Sequence, residues 1–161
     1  MEGPERDDLR ARIADYLSAH HTMTVATAAP AGNAPHAAHV FYAMDHDLRL
    51  IFLSQKTSLH GQHIGEAAPV AVTVSEDYDQ WRDIQGVQLW GMARRLTRTA
   101  EARALAHYLL RFPFARDLLG DPELTARLRD LGVYRFEPER AAFTDNTSGV
   151  FGRETLELPT Q

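Results

Sequence analysis

Behind Pro4 the apolar residues Leu9, Ile13, Tyr16 and Leu17 recur at helical spacing, which predicts an amphipathic helix from Pro4 to about His20 with its proline in the first turn. The period then shortens to that of strands. Thr22 to Ala28, His36 to Met44 and Leu48 to Ser54 are rich in β-branched and aromatic residues, and the turn residues Pro30-Ala31-Gly32-Asn33 and Asp45-His46-Asp47 separate them. Two such hairpins in a row predict a meander. Thr57 to Glu66 reads as a short helix, Val70 to Ser75 as a strand, and Gln85 to Thr97 as a long strand interrupted at Gly91. After Thr99 the helical period returns: Ala102, Leu105, Ala106, Leu109 and Leu110 run up to Phe112-Pro113, and Leu118, Leu124, Leu128 and Leu131 continue a helical hairpin past Asp121-Pro122. Val133 to Glu137, Ala141 to Thr144 and Thr155 to Leu158 read as closing strands. This order predicts a mainly β fold with peripheral helices, an N-terminal helix and an inserted helical hairpin, its antiparallel sheet curling into a barrel.

Length and composition narrow what the pattern can carry. At 161 residues, 44 % of them hydrophobic, the chain suits one compact domain over residues 1–161. It has no cysteine, which excludes disulfides, thiolate catalysis, Cys-ligated zinc and iron–sulfur clusters. The start, Met1-Glu2-Gly3-Pro4-Glu5-Arg6-Asp7-Asp8, is acidic and polar, unlike a signal peptide, and no apolar run is long enough to span a bilayer. A cytoplasmic protein without a membrane partner is expected. The net charge of −5 argues against nucleic acid as a partner.

Sixteen arginines accompany a single lysine, Lys56, in the stretch Ser54-Gln55-Lys56-Thr57-Ser58-Leu59-His60. Lysine differs from arginine as a compact charge on a flexible stem, suited to reaching a phosphate in a tight pocket. The stretch joins a predicted strand to a predicted helix start, where the hydroxyls of Ser54, Thr57 and Ser58 and the Lys56 ammonium gather beside unpaired N–H groups. Neither a Walker sequence nor G-x-G-x-x-G occurs, so the expected anion is a monophosphate.

The order TVAT…HAAHVFYAMDHDLRLIFLSQKTSLHGQHIGEAAPVAVTV…IQGVQLWGMARRL resembles the pyridoxamine 5′-phosphate oxidase-like FMN-binding split-barrel superfamily over most of the chain. The segments GVQLWGMARRL, RFPFAR and FTDNTSGVFGR are similar to its YhbP-like branch, although Gly149-Val150-Phe151-Gly152 is one residue longer than the GFG of that branch. The resemblance implies an antiparallel split β-barrel, homodimeric, with flavin in clefts between the subunits. It assigns the FMN phosphate to Ser54, Lys56 and Thr57, with His60 one turn into the helix, facing phosphate or solvent. It sets the strand His39-Val40-Phe41-Tyr42 beneath the isoalloxazine, backbone groups on the ring's pyrimidine edge and alternate side chains lining the cleft. Gln88 is expected at the ring edge, and Trp81, in the polar connection from Asp77 to Asp83, as a cover over it. Asn146 or Arg153 would meet flavin or a substrate anion if the C-terminal segment folds back over the cleft; the competing reading of Asp145-Asn146 is a side-chain-to-backbone turn.

FMN is thus the expected cofactor, ahead of FAD, coenzyme F420 and haem. Histidines do not add a metal: His60 and His63 share a helical face but lack a third ligand, and His36 and His39 point to opposite faces of their strand. The expected function is a flavin-dependent oxidoreductase acting on a small-molecule substrate, with NAD(P)H a candidate reductant and no side chain singled out as catalytic. Two alternatives are a flavin carrier or sensor without turnover, and a barrel that holds another phosphorylated ligand.

Overall fold

The computed structural model describes residues 3–31, 34–149 and 151–159. Gly32 and Asn33 of the predicted turn, and Val150 of the lengthened Gly149–Gly152 segment, lie outside the described residues. Helix α1 (Gly3–Ala19) is followed by strands β1 (Thr22–Ala28), β2 (Pro35–Met44) and β3 (Leu50–Gln55), then by the short helix α2 (Leu59–Ile64). Strands β4 (Ala67–Ser75) and β5 (Gln85–Arg95) precede helices α3 (Arg98–Arg111), α4 (Pro113–Gly120) and α5 (Pro122–Leu128), and β6 (Leu131–Asp145) and β7 (Arg153–Glu157) end the fold. All pairings are antiparallel. The strands run in the order β3-β2-β1-β4-β5-β6, β3 bonds back onto β6, and β7 lies outside on β6, so six strands form a closed barrel with one strand beyond it.

Alternation fills the barrel. Met23, Val25 and Thr27 of β1 point inward between half-buried or exposed neighbours, and Val70, Val72 and Val74 of β4 do the same. The apolar stripe read from the sequence of α1 joins them, with Leu9, Ile13 and Leu17 fully buried among Tyr42, Phe52, Leu89, Tyr134 and Phe136. A second, smaller core lies on the outer surface, where α3 and α4 cover Ala43, Ile51 and Val133 with Ala104, Tyr108, Phe112 and Ala115. Here the predicted stripe is displaced. Ala104 and Tyr108 are the buried positions of α3, whereas Leu110 is 76 % exposed. The helix lies on a sheet surface of small and branched residues, so alanine permits close approach and the longer leucines fall to the sides.

The predicted gap between Glu137 and Ala141 is also corrected, because β6 runs unbroken from Leu131 to Asp145. Trp90 pairs with Arg140 and Gly91 with Pro138, which leaves Glu139 as the extra residue of a bulge. A proline without an N–H is tolerated at such a place. Gly91 is required opposite it: a Cβ there would run into the Glu137 carbonyl and stand 2.8 Å from Pro138 Cα. Among the described residues no helix is long and apolar enough to cross a membrane.

Candidate functional site

Strand β3 pairs with β2 only from Tyr42 to Met44, then turns to β6, where Leu53, Ser54 and Gln55 meet Val133, Gly132 and Leu131. From Pro35 to Phe41, β2 is therefore bonded, among the described residues, to β1 alone. The Tyr42 N–H donates to the His21 carbonyl at 2.9 Å, and antiparallel alternation then sends the N–H and C=O groups of Ala37, His39 and Phe41 to the unpaired edge. This is the split in the barrel. Along it His39 and Phe41 turn outward, while Val40 and Tyr42 turn in. Tyr42 does not line a cleft with its side chain: it is fully buried, its hydroxyl donates to the Leu17 carbonyl at 2.6 Å, and burial pushes the phenol up from its ordinary pKa. Val40 is half-buried against the core. His39 Nδ1 lies 3.1 Å from Thr24 Oγ1, and the Phe41 ring, 45 % exposed, meets Phe112 and Phe114 of the RFPFAR segment at 5.4 Å each.

The turn from β3 into α2 forms a polar corner beside that edge. Ser58 caps α2, its Oγ accepting from Gly61 N–H at 3.1 Å and donating to the Gln55 carbonyl at 2.6 Å. Ser54 Oγ is 3.1 Å from Ser58 Oγ and 2.5 Å from His60 Nε2, which also approaches Ser58 Oγ at 3.2 Å. With the Ser58 proton committed to Gln55, one assignment serves both contacts of Ser54: His60 Nε2–H donates to Ser54, and Ser54 donates to Ser58. His60 is buried, and His36 of β2 stacks on it with ring centroids 5.7 Å apart. His63 meets His36 edge-on at 6.1 Å and places Nδ1 3.0 Å from Thr27 Oγ1. Burial first, and then the neighbouring His36 and His63, hold the His60 imidazolium below its ordinary pKa. Glycine at 61 lets the helix lie this close, since a Cβ there would collide with the Gln55 carbonyl and stand 2.9 Å from the Lys56 carbonyl. The left-handed Gly65 (φ 56°) then ends α2, its N–H on the Gly61 carbonyl.

The predicted phosphate set is divided by the structure. Ser54 and His60 belong to this cluster, whereas Thr57 gives both its N–H, at 2.8 Å, and its hydroxyl to Asp130. These two bonds, and after them the Lys56 charge, hold the Asp130 carboxyl below the usual range. Lys56 N–H donates to the Asp130 carbonyl at 2.8 Å, and the stem of Lys56 passes over Gly132. The pairing of Thr57 with Asp130 has no signal in the sequence, as the two are far apart along the chain. His36 was missed because its approach to His60 needs both the Thr27–His36 register and the return of α2, neither of which a strand pattern reveals. Among the described residues no group of three or more His, Cys, Asp or Glu side chains is placed to hold a metal ion.

Gln88, Trp81 and Asn146 stand elsewhere. Cross-strand pairing lines up His39, Thr24, Thr73 and Gln88 in one outward row and Ala37, Ala26, Ala71 and Trp90 in the next. Gln88 is therefore three strand spacings from His39, about 14 Å. Thr24, Ala26, Ala71, Thr73, Gln88 and Trp90 surround a shallow hollow of about 190 Å³ on this outer face. Gln88 accepts from Arg153 at 2.7 Å, and Arg140 stacks over Trp90 at 4.3 Å. Trp81 is 43 % exposed, with Arg82 over its ring at 4.4 Å. Asn146 donates Nδ2–H to the Trp81 carbonyl at 2.7 Å and its N–H to the Ile84 carbonyl at 3.0 Å, so it braces the loop that carries Trp81. Asp145 Oδ1 accepts from Thr147 N–H at 3.0 Å, from the Thr147 hydroxyl at 2.6 Å and from Gln85 at 3.0 Å. Burial alone would raise that carboxyl; the hydrogen bonds outweigh it and hold it low. The FTDNTS segment is a side-chain-to-backbone turn in this structure.

A strand edge with free peptide groups can read the donor and acceptor pattern of a heterocycle, and a corner of hydroxyls and protonatable imidazoles can hold an anion. The sequence profile of the family described as "Pyridoxamine 5'-phosphate oxidase" matches residues 9–145. A UPF0306 protein of Klebsiella pneumoniae is 35 % identical over 148 residues, covering 91 % of each chain. Among solved structures, HutZ, the haem storage protein of Vibrio cholerae, superposes with a TM-score of 0.66 at 19 % identity, over 81 % of this chain and 90 % of its own. An FAD-binding protein of Mesorhizobium loti superposes with a TM-score of 0.60 at 17 % identity, over 83 % and 91 %.

Proposed function

The chain belongs to the pyridoxamine 5′-phosphate oxidase family and to its UPF0306 group, and on that premise we propose that it binds FMN at the split of the barrel and serves as a flavin-dependent reductase. The observation that carries the reading is the junction of two chemistries, the open peptide edge at Ala37, His39 and Phe41 and the corner of Ser54, Ser58 and His60. His36, stacked on His60, marks the phosphate end of that edge. His39 lies three residues along, about 10 Å at a strand's rise, a span suited to a five-carbon ribityl chain. In this reading Ser54, Ser58 and His60 hold the phosphate, the peptide groups orient the ring, and Phe41 closes the far end. When bound, the flavin supplies the redox chemistry, exchanging hydride with NAD(P)H and a small-molecule substrate.

A second copy of the chain is the proposed cover. The outer rows at Ala37, Ala26, Ala71, Thr24 and Thr73 carry small side chains, which permits close approach of a like surface and exclusion of water from the ring. HutZ stores haem and the Mesorhizobium protein binds FAD, so haem and FAD are the competing ligands. The phosphate-compatible corner favours the mononucleotide over both. The test is to titrate the purified protein with FMN, riboflavin, FAD and haemin, then to expose the yellow complex to NADH or NADPH without oxygen. Tighter binding of FMN than of riboflavin, with bleaching by a nicotinamide, supports the reading. A Soret band with no flavin binding refutes it, and flavin binding without bleaching leaves a carrier instead of a reductase.

A further inference from the structure

Three imidazoles meet at the corner, and the elements packed around them bring almost no fixed charge. Strands β1, β3 and β4 carry no titratable side chain between Thr22 and Ala28, Leu50 and Gln55, or Ala67 and Ser75. Strand β2 brings His36, with His39 on its other face, and α2 brings His60 and His63, followed by the exposed Glu66. Of the cations on β5, Arg94 pairs with Glu137 at 3.5 Å, and Arg95 donates its backbone N–H to the Glu66 carbonyl at 2.9 Å. Lys56 lies across the turn beside Asp130, whose carboxylate is also bonded to Thr57. The polar side chains that line the corner itself are hydroxyls and imidazoles.

We propose that His36 is a ligand of a phosphate monoester at this corner, supplied from β2, and that His36, His60 and His63 take up one proton from solvent as the dianion binds. The proposal rests on the phosphate reading above and deepens it. In the unliganded cluster burial, and after it the neighbouring His36 and His63, oppose protonation of His60. A dianion reverses the sign of that balance, because each proton added now faces two negative charges. On His60 the position open to a further proton is Nδ1, because Nε2 is assigned as the donor to Ser54. A guanidinium-lined site would bind with no such exchange.

The experiment titrates flavin-free protein with FMN and with riboflavin from about pH 6.5 to 8.5, a range in which the phosphate is mainly dianionic, its second pKa being about 6. Calorimetry in two phosphate-free buffers of different ionisation enthalpy counts the protons exchanged. The expected result is an FMN Kd that rises about tenfold per pH unit, close to one proton taken up per FMN, and a flat riboflavin profile. His36→Asn is expected to weaken FMN about tenfold near pH 7 and flatten its slope, with riboflavin unchanged. His36 is only partly buried, and a thermal melt checks the variant's fold; if it unfolds, the proton count on the unaltered protein decides. FMN preferred over riboflavin with a flat profile and no proton uptake overturns the coupling and leaves the phosphate site standing. Equal affinity for FMN and riboflavin removes the phosphate site itself.

Discussion

Replacing Gly61 by alanine tests whether the corner is as tightly built as its geometry implies. In an exposed helix the change would stabilise by up to about 1 kcal/mol. Here the added Cβ collides with the Gln55 carbonyl and stands 2.9 Å from the Lys56 carbonyl and 3.0 Å from Ser58 Oγ. Neither carbonyl can retreat freely. Gln55 O accepts from Ser58 N–H at 3.1 Å and from the Ser58 hydroxyl at 2.6 Å, and the Lys56 N–H is fixed on Asp130 O at 2.8 Å. Overpacking of this kind costs about 1–3 kcal/mol, and loss of one of the Gln55 hydrogen bonds adds about 1. After the helical gain is set against them, a net loss of roughly 1–3 kcal/mol remains, which at a urea m-value of about 2 kcal/mol/M lowers the midpoint by roughly 0.5–1.5 M. Gly120→Ala is the control, because a Cβ there meets nothing within 4 Å. It is expected to leave the midpoint unchanged or raise it slightly. If Gly61→Ala proves as stable as Gly120→Ala and keeps full preference for FMN over riboflavin, the turn yields easily and the tight-corner argument fails.

Asp130, its carboxyl held low by Thr57, stabilises the folded chain above the unfolded pKa of about 3.9, and that contribution is lost as pH falls through the lower folded value. Asp130→Asn should therefore flatten the decline of the urea midpoint in acid, and an unchanged decline would place the acid sensitivity elsewhere. Ala71→Arg, in the middle of this outer face, should halve the mass seen by light scattering; a wild-type chain already monomeric at micromolar concentration would remove the proposed dimer. Asn146→Ala frees the Trp81 carbonyl and should cost about 1 kcal/mol while raising the quenching of tryptophan fluorescence by acrylamide, and unaltered quenching would show that the loop is held by other contacts.

Those features that depend on local spacing were legible in the sequence. The stripe of Leu9, Ile13, Tyr16 and Leu17 is buried as read, and the hydroxyl-rich turn from Ser54 to His60 does bring Ser54, Ser58 and His60 together. What failed depends on a distant partner. Pro138 and the charged pair Glu139-Arg140 look like the end of a strand until Gly91, on β5, supplies the room for a bulge. Leu110 looks like a core residue in a helical repeat, yet the sheet surface under α3 selects the face of Ala104 and Tyr108. Tyr42 alternates correctly with its neighbours, but only α1, which supplies the Leu17 carbonyl, decides that its phenol belongs inside. Lys56 was conspicuous by composition. Its neighbour Asp130 comes from the far side of the helical insertion, beyond the reach of any local pattern.

Closure of the barrel between β3 and β6 has a kinetic consequence. The pairing of Gln55 with Leu131 joins the ends of a loop of roughly 75 residues, while β1 with β2 and β4 with β5 close over short connections. Contacts of such long sequence separation are slow to form, so the nearby hairpins and helices assemble ahead of this seam. The turn that carries Ser54 and Lys56 lies at the end of the seam, latched by Asp130. The ligand corner is then among the last parts of the molecule to acquire its shape and among the first to lose it, so a bound phosphate ester would act on the unfolding rate far more than on the rate of folding.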